Sequence, residues 1–149
     1  MIYANGVPTT LASASLAADL RVALMRAVRR IRAERSSDVI TDGQYSVLAH
    51  LDRDGSCTPR LLADTDHVQP PSMSRILNAL VEAGLVERTT HPQDGRQVLV
   101  SITAAGRAEV RETRRRRDAW LSQRLSTLTP AERTTLAEAA EILERVVTR

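Results

Sequence analysis

Five side chains between positions 69 and 78 are of the types that pair with base edges and phosphate oxygens: Gln69, Ser72, Ser74, Arg75 and Asn78. Arginine suits the two acceptors of guanine, and asparagine or glutamine suits adenine; each good pair discriminates by about 1–3 kcal/mol. At a helical period, Met73, Ile76, Leu77 and Leu80 fall at i, i+3, i+4 and i+7 and form one apolar stripe. Pro71, Ser74, Arg75, Asn78 and Glu82 fall on another face. Apart from Arg75 that face is short-chained, so it can approach a flat polar surface closely. Taken alone, the pattern also fits an ordinary amphipathic helix covering a core.

The flanking elements narrow the choice. Gly84 stands where a helix C-terminus needs a left-handed residue. Leu85 to Thr89 and Gln97 to Ile102 read as two strands, the second with Val98, Val100 and Ile102 alternating. Asp94-Gly95 between them is a hairpin-turn signal. Arg96 then sits at the hairpin tip, where a guanidinium can enter a narrow, negative minor groove. Asp94 is expected to orient Arg96, or another nearby arginine, through a charge-assisted hydrogen bond. Arg88 can reach either a phosphate backbone or Asp94.

Upstream, Thr58-Pro59 sets an N-cap and a first-turn proline for a helix running to about Asp66. His67-Val68-Gln69 makes the turn into the polar-flanked helix, with Val68 as the apolar residue that pins the two together. The expected fold is mainly α with a small β-hairpin wing (α+β), a winged helix-turn-helix with further helices at both ends.

Those outer helices are amphipathic. Leu16, Leu20, Ala23, Leu24, Ala27, Val28 and Ile31 stripe a long first helix after a loose arm over residues 1–10. Ser36-Ser37-Asp38 breaks it, and Thr41-Asp-Gly-Gln44 has the form of a capping box for a second helix. Thr103 caps a fifth helix, whose segment Arg111 to Asp118 looks polar on every side, as in a helix bridging two packed regions. Thr129-Pro-Ala-Glu132 opens a sixth, striped by Leu136, Ala139, Ala140, Leu143, Val146 and Val147. Three domains are therefore expected: 1–38, an arm and dimerisation helix; 39–103, the winged segment; 104–149, a linker helix and C-terminal dimerisation helices. The terminal helices make a thin core alone, so pairing with a second copy is the economical way to bury them.

The chain has 149 residues, 42% apolar but only 2% aromatic, with no Phe, so its core must be built from Leu, Val, Ile and Ala. All 21 basic residues are arginine, against 18 acidic ones. The balance is uneven: residues 36–103 hold five arginines and nine acidic residues. Bulk charge thus gives the winged segment no claim on nucleic acid, and individual arginines must supply it. The acidic middle also fits an alternative, a winged-helix module for protein contacts without DNA binding.

Cys57 is the one cysteine, which suits a reducing cytoplasm, and no run approaches the ~18 apolar residues of a spanning helix. His50, His67 and His91 stand far apart without metal-ligand spacing, and no nucleophile-base pair or phosphate loop occurs. No catalytic residue, metal or cofactor is expected. Arg114 to Arg117 reads as a solvated face, with DNA, an anionic effector or an acidic residue across a dimer as other partners.

Together, Leu61-Leu62-Ala63, Arg75 to Gly84-Leu85-Val86-Glu87-Arg88, the Asp94-Gly95-Arg96 tip and Leu99 through Thr103-Ala-Ala-Gly106 resemble the MarR (multiple antibiotic resistance regulator) family of bacterial transcription factors. The resemblance spans roughly Leu16 to Val147. It implies a cytoplasmic, homodimeric regulator, a repressor by expectation, on a pseudo-palindromic double-stranded DNA operator. It matches Asp94 and Arg96 to the family's D-x-R pair and makes the first, fifth and sixth helices the dimer interface. It also suggests a site for a small aromatic or phenolic effector near Tyr45, His50 and Trp120. Peroxide-sensing members carry a cysteine near the start of the first helix; this chain has none there, so a structural role is expected for Cys57.

Overall fold

A computed structural model of the chain describes residues 13–34 and 40–148. The expected arm over residues 1–10 and the break at Ser36-Ser37-Asp38 lie outside the described residues. The chain divides into two units, one ending at Ala33 and one beginning at Glu34.

The first unit holds α1 (Ser13–Arg32), whose last turn carries Arg29, Arg30 and Arg32, suited to the negative end of a helix dipole. Every residue from Ser15 to Arg30 is exposed, including Leu16, Leu20, Leu24, Met25 and Val28.

In the second unit, α2 (Asp42–Asp54) begins with a complete capping box. Thr41 Oγ1 accepts from the Gln44 amide at 3.2 Å, and Gln44 Oε1 accepts from the Thr41 amide at 2.7 Å. Two orphan N–H groups are thereby satisfied by a four-residue motif. Thr58 caps α3 (Pro59–Thr65) through its side chain, and α4 (Pro70–Glu82) follows after a turn in which His67 adopts φ +52°. Val68 is half-buried against the core, where it ties α3 to α4. Gly84, at φ +70°, donates to the Val81 carbonyl while Leu85 donates to that of Leu80. These paired bonds close α4 in a Schellman motif and turn the chain into the sheet.

Strands β1 (Val86–His91) and β2 (Asp94–Ile102) pair antiparallel from Val86↔Ile102 to Thr90↔Val98, and then His91 pairs with Asp94. The turn residues are accordingly Pro92 and Gln93 rather than the expected Asp94-Gly95. Gly95, Arg96 and Gln97 have no partners in this register, and they form a bulge on the β2 side. Cys57 adds a one-residue bridge to Val100, with both backbone hydrogen bonds made, which gives the hairpin a third edge.

Thr103 caps α5 (Ala104–Leu125), and a second complete capping box at Thr129 and Glu132 opens α6 (Pro130–Val147). The core takes Val47, Leu48 and Leu51 from α2, Leu62 from α3, Met73, Leu77 and Leu80 from α4, Val100 from the sheet and Val110 from α5. The middle of α5 departs from the all-round polar face read in the sequence. Val110 and Thr113 are buried, and the helix packs on α2 and β2. Thr113 is the buried residue within that segment, and its charged neighbours Arg114, Arg115 and Arg116 reach acidic partners.

A close joint links α5 to the end of α4. The Leu85 carbonyl accepts from the Thr103 amide at 3.0 Å, and Thr103 Oγ1 donates to the Gly84 carbonyl at 2.8 Å. One turn into α5, a Cβ on Gly106 would stand 2.2 Å from the Leu85 oxygen and 2.7 Å from Ile102 Cγ1. Only a hydrogen fits there. In α6 no residue is buried, and Leu136, Ile142, Val146 and Val147 are exposed.

Candidate nucleic-acid interface

The apolar stripe of α4 orients its polar flank. Met73, Leu77 and Leu80 are buried with 1% exposure or less, and the half-turn between them leaves Ser72, Ser74, Arg75 and Asn78 in solvent. Gln69, the N-cap residue, is also exposed and makes no side-chain cap hydrogen bond, so its amide is not spent on the helix terminus. With Pro70 and Pro71 opening the helix, the first turn presents no bulky side chain until Arg75.

Arg88, exposed on β1, does not pair with Asp94: its Nη2 donates to Asn78 Oδ1 at 2.9 Å. A guanidinium has donors only, so this contact fixes which way the amide faces. Oδ1 turns toward the strand and Nδ2 toward the remaining surface. The bond spans ten positions in sequence and ties the sheet to the polar flank of α4.

Asp94 also differs from expectation. Its Oδ1 accepts from the Arg96 backbone amide at 3.1 Å, and its Oδ2 accepts from Gln97 Nε2 at 2.9 Å. The carboxylate therefore shapes the bulge rather than pairing with a guanidinium, as aspartates commonly do in Asx-turns. Arg96 is exposed on that bulge. Gln97, not singled out in sequence, is the second anchor, and its three-residue spacing from a turn aspartate was the available signal.

The Arg114 to Arg117 run has acidic and aromatic partners within the protomer. Arg114 pairs with Asp52 of α2 at 3.0 Å. Arg115 and Arg116 both bond Glu112 at 2.8 Å, and these two guanidinium contacts hold the Glu112 carboxyl down at about 2. Arg117, mostly buried, lies over the Tyr45 ring at 4.1 Å from its centroid, donates Nε to the Glu34 carbonyl at 3.2 Å and stands 3.8 Å from Asp42. Of the residues considered for an effector, Tyr45 thus has Arg117 on its face. His50 is buried with Nε2 3.7 Å from Asp54, and Trp120 has Arg124 over its ring at 5.2 Å.

Cys57 is buried beneath the bridge to Val100, and burial, with the charges of Asp54 and Asp66 adding, pushes its thiol pKa up. That is the opposite of the lowered pKa a reactive thiolate needs. Among the described residues no helix is long and apolar enough to cross a membrane.

Comparison with known proteins agrees with this geometry. The model of the MarR family matches residues 40–98, from the start of α2 to the wing. An uncharacterised HTH-type transcriptional regulator of Mycobacterium bovis is 42% identical over 134 residues, covering 90% of this chain and 94% of the relative. The HTH-type transcriptional repressor MdtR of Bacillus subtilis is 28% identical over 88% of this chain and 85% of its own. A crystal structure of a MarR mutant from E. coli superposes with a TM-score of 0.76 at 28% identity, covering 89% of this chain and 96% of that one. The exposed helix flank, the bulged wing and the extended similarity to the M. bovis regulator carry one conclusion: the chain belongs to the MarR family of winged helix-turn-helix transcriptional regulators.

Proposed function

We propose that the protein is a cytoplasmic homodimeric repressor that reads a pseudo-palindromic duplex, with α4 in the major groove and the Arg96 bulge in the adjacent minor groove. The observation that carries this reading is the flank of α4. Ser72, Ser74 and Arg75 are exposed, with the Asp94-held wing on the same unit. Two copies would set their recognition helices about one duplex turn apart, ~34 Å. MdtR, a named repressor, supports the direction of control. Anisotropy titration of the duplex upstream of the protein's own gene tests the reading. Affinity should fall steeply with salt as phosphate counterions are released. Binding that is absent, or indifferent to salt, would reject it.

The dimer reading is supported by the apolar residues left in solvent on α1 and α6. Because α6 buries no residue of its own, truncation before Thr129 should leave the winged unit folded but convert the dimer to a monomer in sedimentation. A truncated protein that still sediments as a dimer would refute this interface. An aromatic acid seated against Tyr45, in the effector region that also takes in His50 and Trp120, would meet the Arg117 guanidinium over that ring and would compete with Asp42 for it. A preference of about 1–3 kcal/mol for one head spacing would suffice to couple such an effector to DNA release.

A further inference from the structure

Two clefts on the winged unit share one ridge, Pro59 and Arg60 on α3. The first cleft runs from that ridge to the wing and is also lined by Thr58, Gln97 and Val98. The second runs to the start of α4, ending on Pro70 and Ser74, with Asp64 along it. Arg60 is exposed and, among the described residues, is paired with no carboxylate.

The geometry of B-form DNA gives this ridge a use. A major groove and the minor groove beside it are separated by a single sugar-phosphate strand. If α4 occupies one and the Arg96 bulge the other, that strand must pass over the surface between them, where Arg60 stands. We infer that Arg60 holds the phosphates of this intervening strand, an inference that rests on the proposed reading of α4 and the wing. The wing-side cleft is the better seat, because Asp64 lies on the other side. Thr58 Oγ1 accepts from the Leu61 amide, which leaves its own proton to donate. Gln97 Nε2 gives one hydrogen to Asp94 and keeps a second. Pro59 and exposed Val98 offer apolar contact to a deoxyribose. Such a contact fixes position and carries no sequence information.

The test compares wild type, Arg60→Ala and Arg60→Lys in the full chain, with the upstream duplex and a scrambled duplex of equal length, across a salt series. Each phosphate neutralised contributes about 0.9 to the slope of log affinity against log salt. Arg60→Ala should therefore flatten the slope by about 0.9 for each protomer bound. It should weaken both duplexes by the same factor, and Arg60→Lys should restore the slope. An unchanged slope in Arg60→Ala, or a loss confined to the upstream duplex, would overturn the assignment while leaving the reading of α4 intact. A wild type that binds neither duplex would overturn both. Unchanged thermal unfolding of Arg60→Ala assigns the effect to the lost charge.

Discussion

Gly106→Ala is expected to lower stability by on the order of 3 kcal/mol or more, the upper end of overpacking costs and beyond, because the new methyl meets backbone rather than a side chain that can rotate away. Its Cβ would fall 2.2 Å from the Leu85 carbonyl oxygen, the atom that also accepts from the Thr103 amide. Relief requires α5 to move off the α4–β1 corner, which breaks that bond and the Thr103–Gly84 bond together. In thermal melts the loss should appear as a Tm lower by about 10 °C, taking roughly 2–4 °C per kcal/mol at this size. Gly43→Ala is the matched control. Its added methyl meets nothing nearer than Ile76 Cδ1 at 3.6 Å, and it lies in the first turn of α2, so a gain of about 0.5–1 kcal/mol is expected. Equal denaturation midpoints for the two variants would show that the α5 corner is looser than the geometry implies.

Replacing Arg75 and Arg96 together by alanine should abolish specific duplex binding at moderate salt while leaving the fold intact, since both side chains are exposed. At about 1–3 kcal/mol for each base-directed arginine, the pair is worth roughly 30-fold to more than 10,000-fold in each half-site. The single variants separate the roles. Arg75→Ala should relax sequence preference within the major-groove positions, and Arg96→Ala should weaken binding most where the flanking minor groove is narrow. Retention of wild-type affinity by the double variant, measured by anisotropy, would remove both residues from the interface.

What could be read from the chain beforehand follows the range of the interactions involved. The caps at Thr41, Thr58, Thr103 and Thr129 were legible because each is closed within three residues. The buried stripe of α4 was legible because periodicity alone decides it. The wing turn was misplaced by a pair of residues, for an equally local reason. Asp94-Gly95 has the composition of a two-residue turn, yet the Asp94 carboxylate takes the Arg96 amide and Gln97 and makes a bulge instead. Arg88 to Asn78, Arg114 to Asp52 and Arg117 to Tyr45 were not legible, since each joins side chains on different elements that only tertiary packing brings together. The Cys57–Val100 bridge escaped notice because a single paired residue leaves no alternation to detect.

The Arg117–Tyr45 stack and the Arg114–Asp52 pair clasp α5 to α2 at two points one helical turn apart. So fastened, α5 is a lever with one end fixed to the winged unit. Beyond Arg117 the helix runs on to Leu125, about 12 Å at ~1.5 Å per residue, so every degree of bend past the clasp swings the far end by only about 0.2 Å. A torque applied near Leu125 would then pass first to α2 through the clasp, and reach the end of α4 only through the Thr103–Gly84 joint at the start of α5.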